Sequence, residues 1–461
     1  MPKWFGSSGI RGSYDEITPL FSMNLGKAVG KSFQSSTSTY IASDIRFTSD
    51  ILKTCFSSGF SSFSGPIIDI GLCPTPVISY ITSINHNSLG VMVTASHNPP
   101  SNNGFKFFLN GRECGKNFEV KVEKNLRHLI NGVISNEIPQ NSWKTVGITK
   151  YDETSTYINQ YVRNLYKKIK IKNPEMRLIL DCANNVPNFV SPKVFNQLGF
   201  GVITINDSLN PTFPGRPSEP SSTNLSVLKK TVIEEGADIG VAHDGDGDRF
   251  AIIDEQGNFV NSTTIISFFC DHLDYSNPSR RRIVLTSDCT QQSIDIIKEK
   301  GGEVIISRIG RNRDFVNDPK ILFLAEPNKL LFPELGKWID GLFPVLKLLE
   351  ISKSRRISEV LVAYDKRKIL RKAFKITEEE KTRINRLFKN LPELWEHKIT
   401  RLSFLDGLKL FLKDKSSVLI RFSGTEPKIK FYVESDSVKK NWDILSQLRT
   451  VFDLNTKGID C

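Results

Sequence analysis

The sequence predicts an α/β fold made of several related units, and three observations carry that prediction. Short apolar runs discharge into polar loops near residues 94, 244 and 325, as strands do when their carboxyl ends carry chemistry. Segments with apolar residues at helical spacing lie between those runs, for example Ser155 to Ile169 with Tyr157, Ile158, Tyr161, Val162 and Leu165. The length of 461 residues exceeds what one hydrophobic core organises and points to roughly three or four domains.

Taken in order, Phe5 to Gly12 is a glycine-rich loop with Arg11 at its end, suited to bringing backbone amides and a guanidinium to an anion. A helix is expected from Pro19 to Phe33, then strands at Tyr40 to Ala42 and Pro66 to Ile70, the latter closed by Gly71 and the Pro74-Thr75-Pro76 turn. The strand Leu89 to Val93 runs into Thr94-Ala95-Ser96-His97-Asn98-Pro99-Pro100. The prolines continue neither strand nor helix, so Ser96 and His97 stand on a rigid turn where a serine hydroxyl can carry a phosphate. Asn103 to Lys106 reads as a turn into the strand Phe107 to Leu109, with Lys106 within reach of Ser96. The helix from Ser155 opens a second domain with strands at Leu178 to Asp181 and Val202 to Ile205. Three prolines then stiffen the loop Phe213 to Pro220, after which Ser221 or Ser222 is placed to cap a helix through Leu225, Leu228 and Val232.

Between the strands Ile239 to Ala242 and Phe250 to Ile253, the loop His243-Asp244-Gly245-Asp246-Gly247-Asp248-Arg249 sets three aspartates at alternate positions separated by glycines. Carboxylates so close repel one another without a cation, and the glycines permit the tight backbone that converges them. An EF-hand is the rival, since Asp244, Asp246, Asp248 and Glu255 meet its spacing, but Arg249 stands where it needs glycine and the flanks are strands. A Mg²⁺ site sharing phosphate oxygens fits better. Further strands, Ile283 to Asp288 and Ile321 to Leu324, end in polar loops, the second in Ala325-Glu326-Pro327-Asn328. Val418 to Ile420 leads into Arg421-Phe422-Ser423-Gly424-Thr425, which combines a guanidinium, two hydroxyls and a glycine amide as a phosphate cradle, with Lys428 and Lys430 nearby.

No apolar run approaches the roughly 18 residues that span a bilayer, and the first residues lack the apolar core of a secretory signal, so a cytoplasmic enzyme with no membrane partner is expected. Seven cysteines, odd in number and never spaced as CxxC, fit reduced thiols and leave a metal to oxygen ligands. The net charge of +12 suits a small acidic substrate. The basic run Lys366 to Lys375 has only Phe374 as an aromatic, and reads as a solvated linker or helix face, not a nucleic-acid surface.

These motifs, in this order, resemble the α-D-phosphohexomutase family, which includes phosphoglucosamine mutase and phosphomannomutase/phosphoglucomutase; Glu326-Pro327-Asn328 resembles its archaeal branch. The likeness also takes in Asp340-Gly341. It implies three similar mixed α/β domains and a C-terminal α+β domain of TATA-binding-protein-like shape, bounded at 1–146, 147–252, 253–366 and 367–461, around a central cleft. It further implies a mutase that moves phosphate between positions 1 and 6 of a hexose or hexosamine, most of all glucosamine phosphate with mannose or glucose phosphate as runner-up, through phosphoserine and a sugar bisphosphate that doubles as activator; the alternative is a sugar-phosphate-binding homologue without turnover. By resemblance Ser96 is the phosphoserine and, with Asp244, Asp246 and Asp248, binds Mg²⁺. Arg11, His97, Lys106 and Arg249 flank the transferring group, Glu326 and Asn328 bind sugar, and Arg421, Ser423, Gly424 and Thr425 bind the second phosphate. The chain is expected as a monomer or homodimer. Many relatives carry glycine and histidine where this chain has Lys329 and Leu330, which bears on the choice of sugar.

Overall fold

The computed structural model describes residues 4–6, 8–33, 38–131, 147–152, 155–171, 174–353, 355–395, 399–423, 427–454 and 458–460. They form two compact units, residues 1–260 with 328–360, and residues 261–327 with 361–461.

In the first unit, β1 (Ile10–Ser13), β2 (Thr39–Ser43), β3 (Ile67–Leu72), β4 (Leu89–Val93), β5 (Asn102–Leu109), β6 (Arg112–Glu113) and β7 (Thr149–Tyr151) form one sheet of order β1-β5-β4-β2-β3-β7, with β6 on β5. The pairs among β2, β3, β4 and β7 are parallel, while β5 is antiparallel to β4 and β1. Helices Pro19–Ser32 and Ser49–Ser61 pack so closely that a Cβ on Gly26 would meet Phe56 O at 2.1 Å. Their apolar faces bury Leu25, Val29, Phe56 and Phe60 against Ile41, Val91, Phe105 and Phe107. Asn103 to Lys106, expected as a turn, are strand, because β5 finds partners on both sides: Gly104 lies opposite Arg11 of β1 and Lys106 opposite Met92 of β4. Alternation along β5 then sends Phe105 and Phe107 into the core and Lys106 to the opposite face.

The second sheet runs β12-β11-β10-β8-β9, from β8 (Arg177–Asp181), β9 (Gly201–Ile205), β10 (Ile239–His243), β11 (Phe250–Asp254) and β12 (Phe259–Val260). β8, β9 and β10 pair in parallel, and β10 turns back antiparallel into β11 through the three-aspartate loop. Strands thus flank that loop, as the argument against an EF-hand required. The two sheets reach Tyr151 and Val260, past the boundaries expected at 146 and 252. The helix expected after Ser221 begins at Ser226 with no side-chain cap. Residues 221–224 instead close a turn, Asn224 N to Ser221 O at 3.0 Å, which keeps both serines from the helix start.

In the second unit β13 (Arg282–Thr286) lies between β14 (Glu303–Ser307) and β15 (Ile321–Glu326), all parallel. An antiparallel sheet follows, in which Lys368–Lys375, Lys428–Ser435, Ser417–Phe422, Leu408–Leu412 and Ile399–Ser403 are successive neighbours. Helices Glu378–Leu394 and Val438–Val451 cover it, Ile384, Phe388, Ile444 and Leu448 packing on Leu410, Ile420 and Phe431. A capping box between Thr377 and Glu380 starts the first of them. The basic run is therefore a strand and not a linker or helix face: all eight residues of Lys368–Lys375 pair with Lys428–Ser435, and Ala373 and Phe374 are buried. Among the described residues no helix is long and apolar enough to cross a membrane.

Candidate active site

Ser96 sits one turn beyond the end of β4 with φ +53°, a left-handed conformation that turns its hydroxyl inward. It is fully buried, and Oγ lies 2.7 Å from Asp244 Oδ2. A buried arginine the sequence reading passed over builds this loop. Arg46 donates to the main-chain oxygens of Ser96, Asn98, Pro99 and Asn102 at 2.6 to 3.0 Å, while its Nε bonds Asp44 Oδ2 at 2.9 Å. Thr94 Oγ1 donates to the same carboxylate oxygen at 2.7 Å and accepts from Ser96 N at 2.8 Å. Satisfied this way, the buried carbonyls carry no desolvation cost and the loop has one shape.

The Phe213 to Pro220 loop anchors the other wall. Arg216 joins Asp181 Oδ2 at 2.7 Å to His243 O at 2.6 Å, and Ser218 Oγ donates to Ser96 O at 3.0 Å while accepting from Gly245 N at 2.9 Å. These contacts bring the tip of β4 and the end of β10 together. Gly341 locks the far side: its N–H reaches Gly247 O at 3.2 Å, and a Cβ there would meet Gly247 O and Arg249 O at 2.6 Å. Asp340, buried under Tyr161 and Trp338, accepts from both and from the main-chain N–H groups of Leu342 and Phe343, which fixes the bend at that glycine.

Carboxylate oxygens of Asp244, Asp246 and Asp248 lie within 4.8 Å of one another, all three residues buried. Lys106 Nζ is 2.5 Å from Asp246 Oδ2 and 2.7 Å from Asp248 Oδ2, and Thr75 Oγ1 donates to Asp246 at 2.5 Å. Burial is the largest effect and raises all three carboxyls, but Lys106 together with Thr75 at Asp246, and with Lys329 and Arg249 at Asp248, holds these two below the usual range. Asp244 is held well above it, by burial first and then by its two neighbours. One ammonium thus compensates two of three charges. Asp246 Oδ1 and Asp248 Oδ1 are buried with no hydrogen-bond partner among the described residues. Hard, converging, under-satisfied oxygens fit a divalent cation such as Mg²⁺.

Other cations converge on this cluster. The Arg249 guanidinium pairs with Glu219, the Arg249 main-chain N–H donates to Asp244 Oδ1 at 3.0 Å, and Arg11 faces Asp246 and Asp248. His97 Nδ1 is 3.5 Å from Ser96 Oγ and 3.9 Å from Glu219 Oε2. Burial, then Arg249, Arg11 and Lys329, hold its imidazole well below its ordinary value, so it is neutral at pH 7. Lys329 also acts on Asp248, which puts the unusual residue of the Asn328-Lys329 segment at the same site. Asn328 itself turns that segment with φ +66°.

His243 closes β10 between Ser191 Oγ at 3.0 Å and Arg249 O at 3.2 Å, and burial pushes its imidazole down to about 4. In the unfolded chain its value is near 6.5. Between these two values the unfolded state binds the proton and the native state does not, so stability falls as pH falls. We expect a loss of about 2 kcal/mol from this group between about pH 7.5 and pH 5, checked by urea unfolding of the wild type and His243→Asn. A variant as acid-sensitive as the wild type contradicts it.

In the second unit, Glu326 accepts from Gly310 N at 2.8 Å, and the neighbouring Ile309 N donates to Asp406 Oδ2 at 3.0 Å. Asp406 also takes Ser287 Oγ at 2.8 Å and lies 3.3 Å from Arg421 Nη1. One short loop therefore connects the expected sugar-binding glutamate to the expected phosphate-binding arginine, through an aspartate that no motif singled out. Ser423 N bonds Lys428 O at 2.8 Å. Gly424 and Thr425 lie outside the described residues.

Comparison with known proteins gives the family and the fold. Family models described as phosphoglucomutase/phosphomannomutase match the chain: alpha/beta/alpha domain I over residues 2–131, alpha/beta/alpha domain II over 156–257 and the C-terminal domain over 372–451. A probable phosphoglucosamine mutase from Methanopyrus kandleri is 30% identical, with 95% of each chain covered. A phosphopentomutase from Thermococcus kodakarensis is 31% identical over 95% of this chain and 94% of its own. The crystal structure of a phosphoglucomutase/phosphomannomutase family protein from Burkholderia thailandensis superposes with a TM-score of 0.82 at 21% identity, covering 98% of both chains.

Proposed function

We propose, from the premise that this chain belongs to the α-D-phosphohexomutase family and is a mutase, that Ser96 is its phosphate carrier and glucosamine phosphate its preferred substrate. The observation that carries the reading is the Ser96 hydroxyl 2.7 Å from Asp244, in a pocket with two further aspartates and Lys106. Asp244, Asp246 and Asp248 would hold the Mg²⁺, which when bound neutralises charge on phosphoryl oxygens. Lys106, Arg11, Arg249 and Lys329 add fixed positive charge where the transferring group gathers negative charge, which is where phosphoryl transfer needs it.

In the forward half-reaction the bond from phosphorus to Ser96 Oγ breaks as a sugar hydroxyl oxygen bonds phosphorus, and the hydroxyl proton passes by way of neutral His97, whose Nδ1 is 3.5 Å from Ser96 Oγ, to that departing oxygen. The resulting sugar bisphosphate is the intermediate and, supplied from outside, the activator. Turned around, it returns its other phosphate to Ser96, while Arg421, Ser423, Gly424 and Thr425 would grip the phosphate that does not react and Glu326 and Asn328 the sugar. A second reading, a pentose phosphate substrate, is favoured by the relative named a phosphopentomutase. Coupled assays with glucosamine, mannose, glucose and ribose phosphates decide between them. We expect glucosamine phosphate to give a kcat/KM at least about tenfold above the others, corresponding to about 1.4 kcal/mol of discrimination; a preference for any other sugar overturns the substrate assignment.

A further inference from the structure

The second unit contains a cavity of about 810 Å³, within the size range of metabolite pockets and separate from every residue of the proposed active site. Ser416 lines it, and Ser416 immediately precedes the strand Ser417–Phe422 whose opposite end carries Arg421. The cavity and the proposed phosphate loop are thus at the two ends of one strand.

The lining is chemically divided. Lys366, Arg401 and Lys415 supply positive charge from exposed positions, and among the described residues none of the three has a carboxylate partner. The Arg401 guanidinium lies 3.8 Å from the centroid of the Phe411 ring, which fixes its plane. Opposite them, helix Gln291–Glu299 offers acceptors: Glu299, and Gln292, whose Nε2 donates to Ala363 O at 3.1 Å while Oε1 is buried without a partner among the described residues. Ser416 is 1% exposed, with Asp414 beside its hydroxyl. The unmet buried Gln292 Oε1 calls for a ligand that supplies a donor, and unpaired cations call for one with negative charge.

We propose that this cavity is a second, regulatory binding site for a phosphorylated, hydroxyl-bearing metabolite of nucleotide size. Its phosphate meets Lys366, Arg401 and Lys415, and its hydroxyls donate to Gln292 and Glu299. Occupancy ties helix Gln291–Glu299 to the C-terminal sheet. Gln291 N at the head of that helix donates to Glu434 Oε1 of the sheet at 3.0 Å, and the loops after β13 and β14 meet Asp406 beside Arg421 through Ser287 and Ile309, so turnover responds. The binding claim is independent of the proposed function, and only the effect on turnover rests on it.

Calorimetric titration of the full chain with AMP as probe tests the site, with pyrophosphate as a probe of charge alone. We expect one AMP per chain, binding weakened at least about tenfold in an Arg401→Ala, Lys415→Ala double variant and severalfold in Gln292→Ala, with basal turnover of all variants unchanged. AMP should shift the wild-type KM and leave that of the double variant alone. No AMP binding, or equal binding by wild type and double variant, overturns the site. Pyrophosphate binding as tightly as AMP overturns the hydroxyl-bearing ligand, and AMP binding with no change in turnover overturns regulation. Because calorimetry needs no catalysis, an inactive chain would fail the proposed function without failing this test.

Discussion

Ser96→Ala is expected to lower turnover by a factor on the order of 10⁴ or more, because it removes the oxygen that carries the phosphate between the two half-reactions. Substrate binding should survive, since Arg421 and Ser423 belong to a separate loop of the second unit. Fold should survive too: the main-chain oxygen of Ser96, not its side chain, takes the bonds from Arg46 and Ser218. The loss is of the hydrogen bond to Asp244, whose raised carboxyl can keep its proton, and of the longer contact with His97 Nδ1. Treatment with sugar bisphosphate, followed by intact mass and peptide mapping, should add one phosphate to the wild type at Ser96 and none to the variant. A phosphate mapped elsewhere, or normal turnover by Ser96→Ala, would falsify the mechanism.

The second large effect is expected at Lys106. It is 1% exposed and lies between two buried aspartates. Removing one partner of a buried charge cluster costs about 3–5 kcal/mol, since the remaining charges lose compensation without regaining water. Lys106→Met keeps the length of the side chain and removes its charge. In EDTA we expect this variant to unfold at clearly lower urea concentration than the wild type. Saturating Mg²⁺ should recover much of the difference, because a cation that binds only the native state stabilises it by mass action. Activity should stay depressed by about 10² to 10³-fold even with Mg²⁺, as a preorganised cation at the transferring group is missing. If Lys106→Met equals the wild type in EDTA, or gains no more than it from Mg²⁺, the aspartates are not a charge-starved metal site.

The parts of this site that are legible in the sequence are those that compress into a few consecutive residues. Ser96 before two prolines and the alternating aspartates announce themselves because turn chemistry and metal convergence impose local patterns. Lys106 is nominated by likeness, and its route to the site was misread: the turn expected at Asn103 is a strand whose partners, Arg11 and Met92, no local pattern reveals. Arg46 was missed for the same reason. It is one arginine among 62 basic residues, and what distinguishes it is four carbonyls from a loop some 50 residues away. Asp406 and Thr75 are of this kind too. The serines at 221 and 222 failed as caps because a cap depends on where the helix starts, and a turn moved that start to Ser226. The basic run at 366 to 375 shows the limit of charge as a guide, since its eight-residue pairing with Lys428–Ser435 lies outside any window of composition.

The 140 residues that separate Lys106 from Asp246 also set a clock for biosynthesis. At about 5–20 residues per second, a ribosome needs about 7–28 s to deliver the aspartates after Lys106 has been made. Throughout that interval β4 and β5 can pair and the phenylalanines on either side of the lysine can pack, but the two carboxylates the ammonium contacts do not yet exist and it must keep its water. The nascent first sheet is therefore left with one wet, open side at least until the three-aspartate loop emerges.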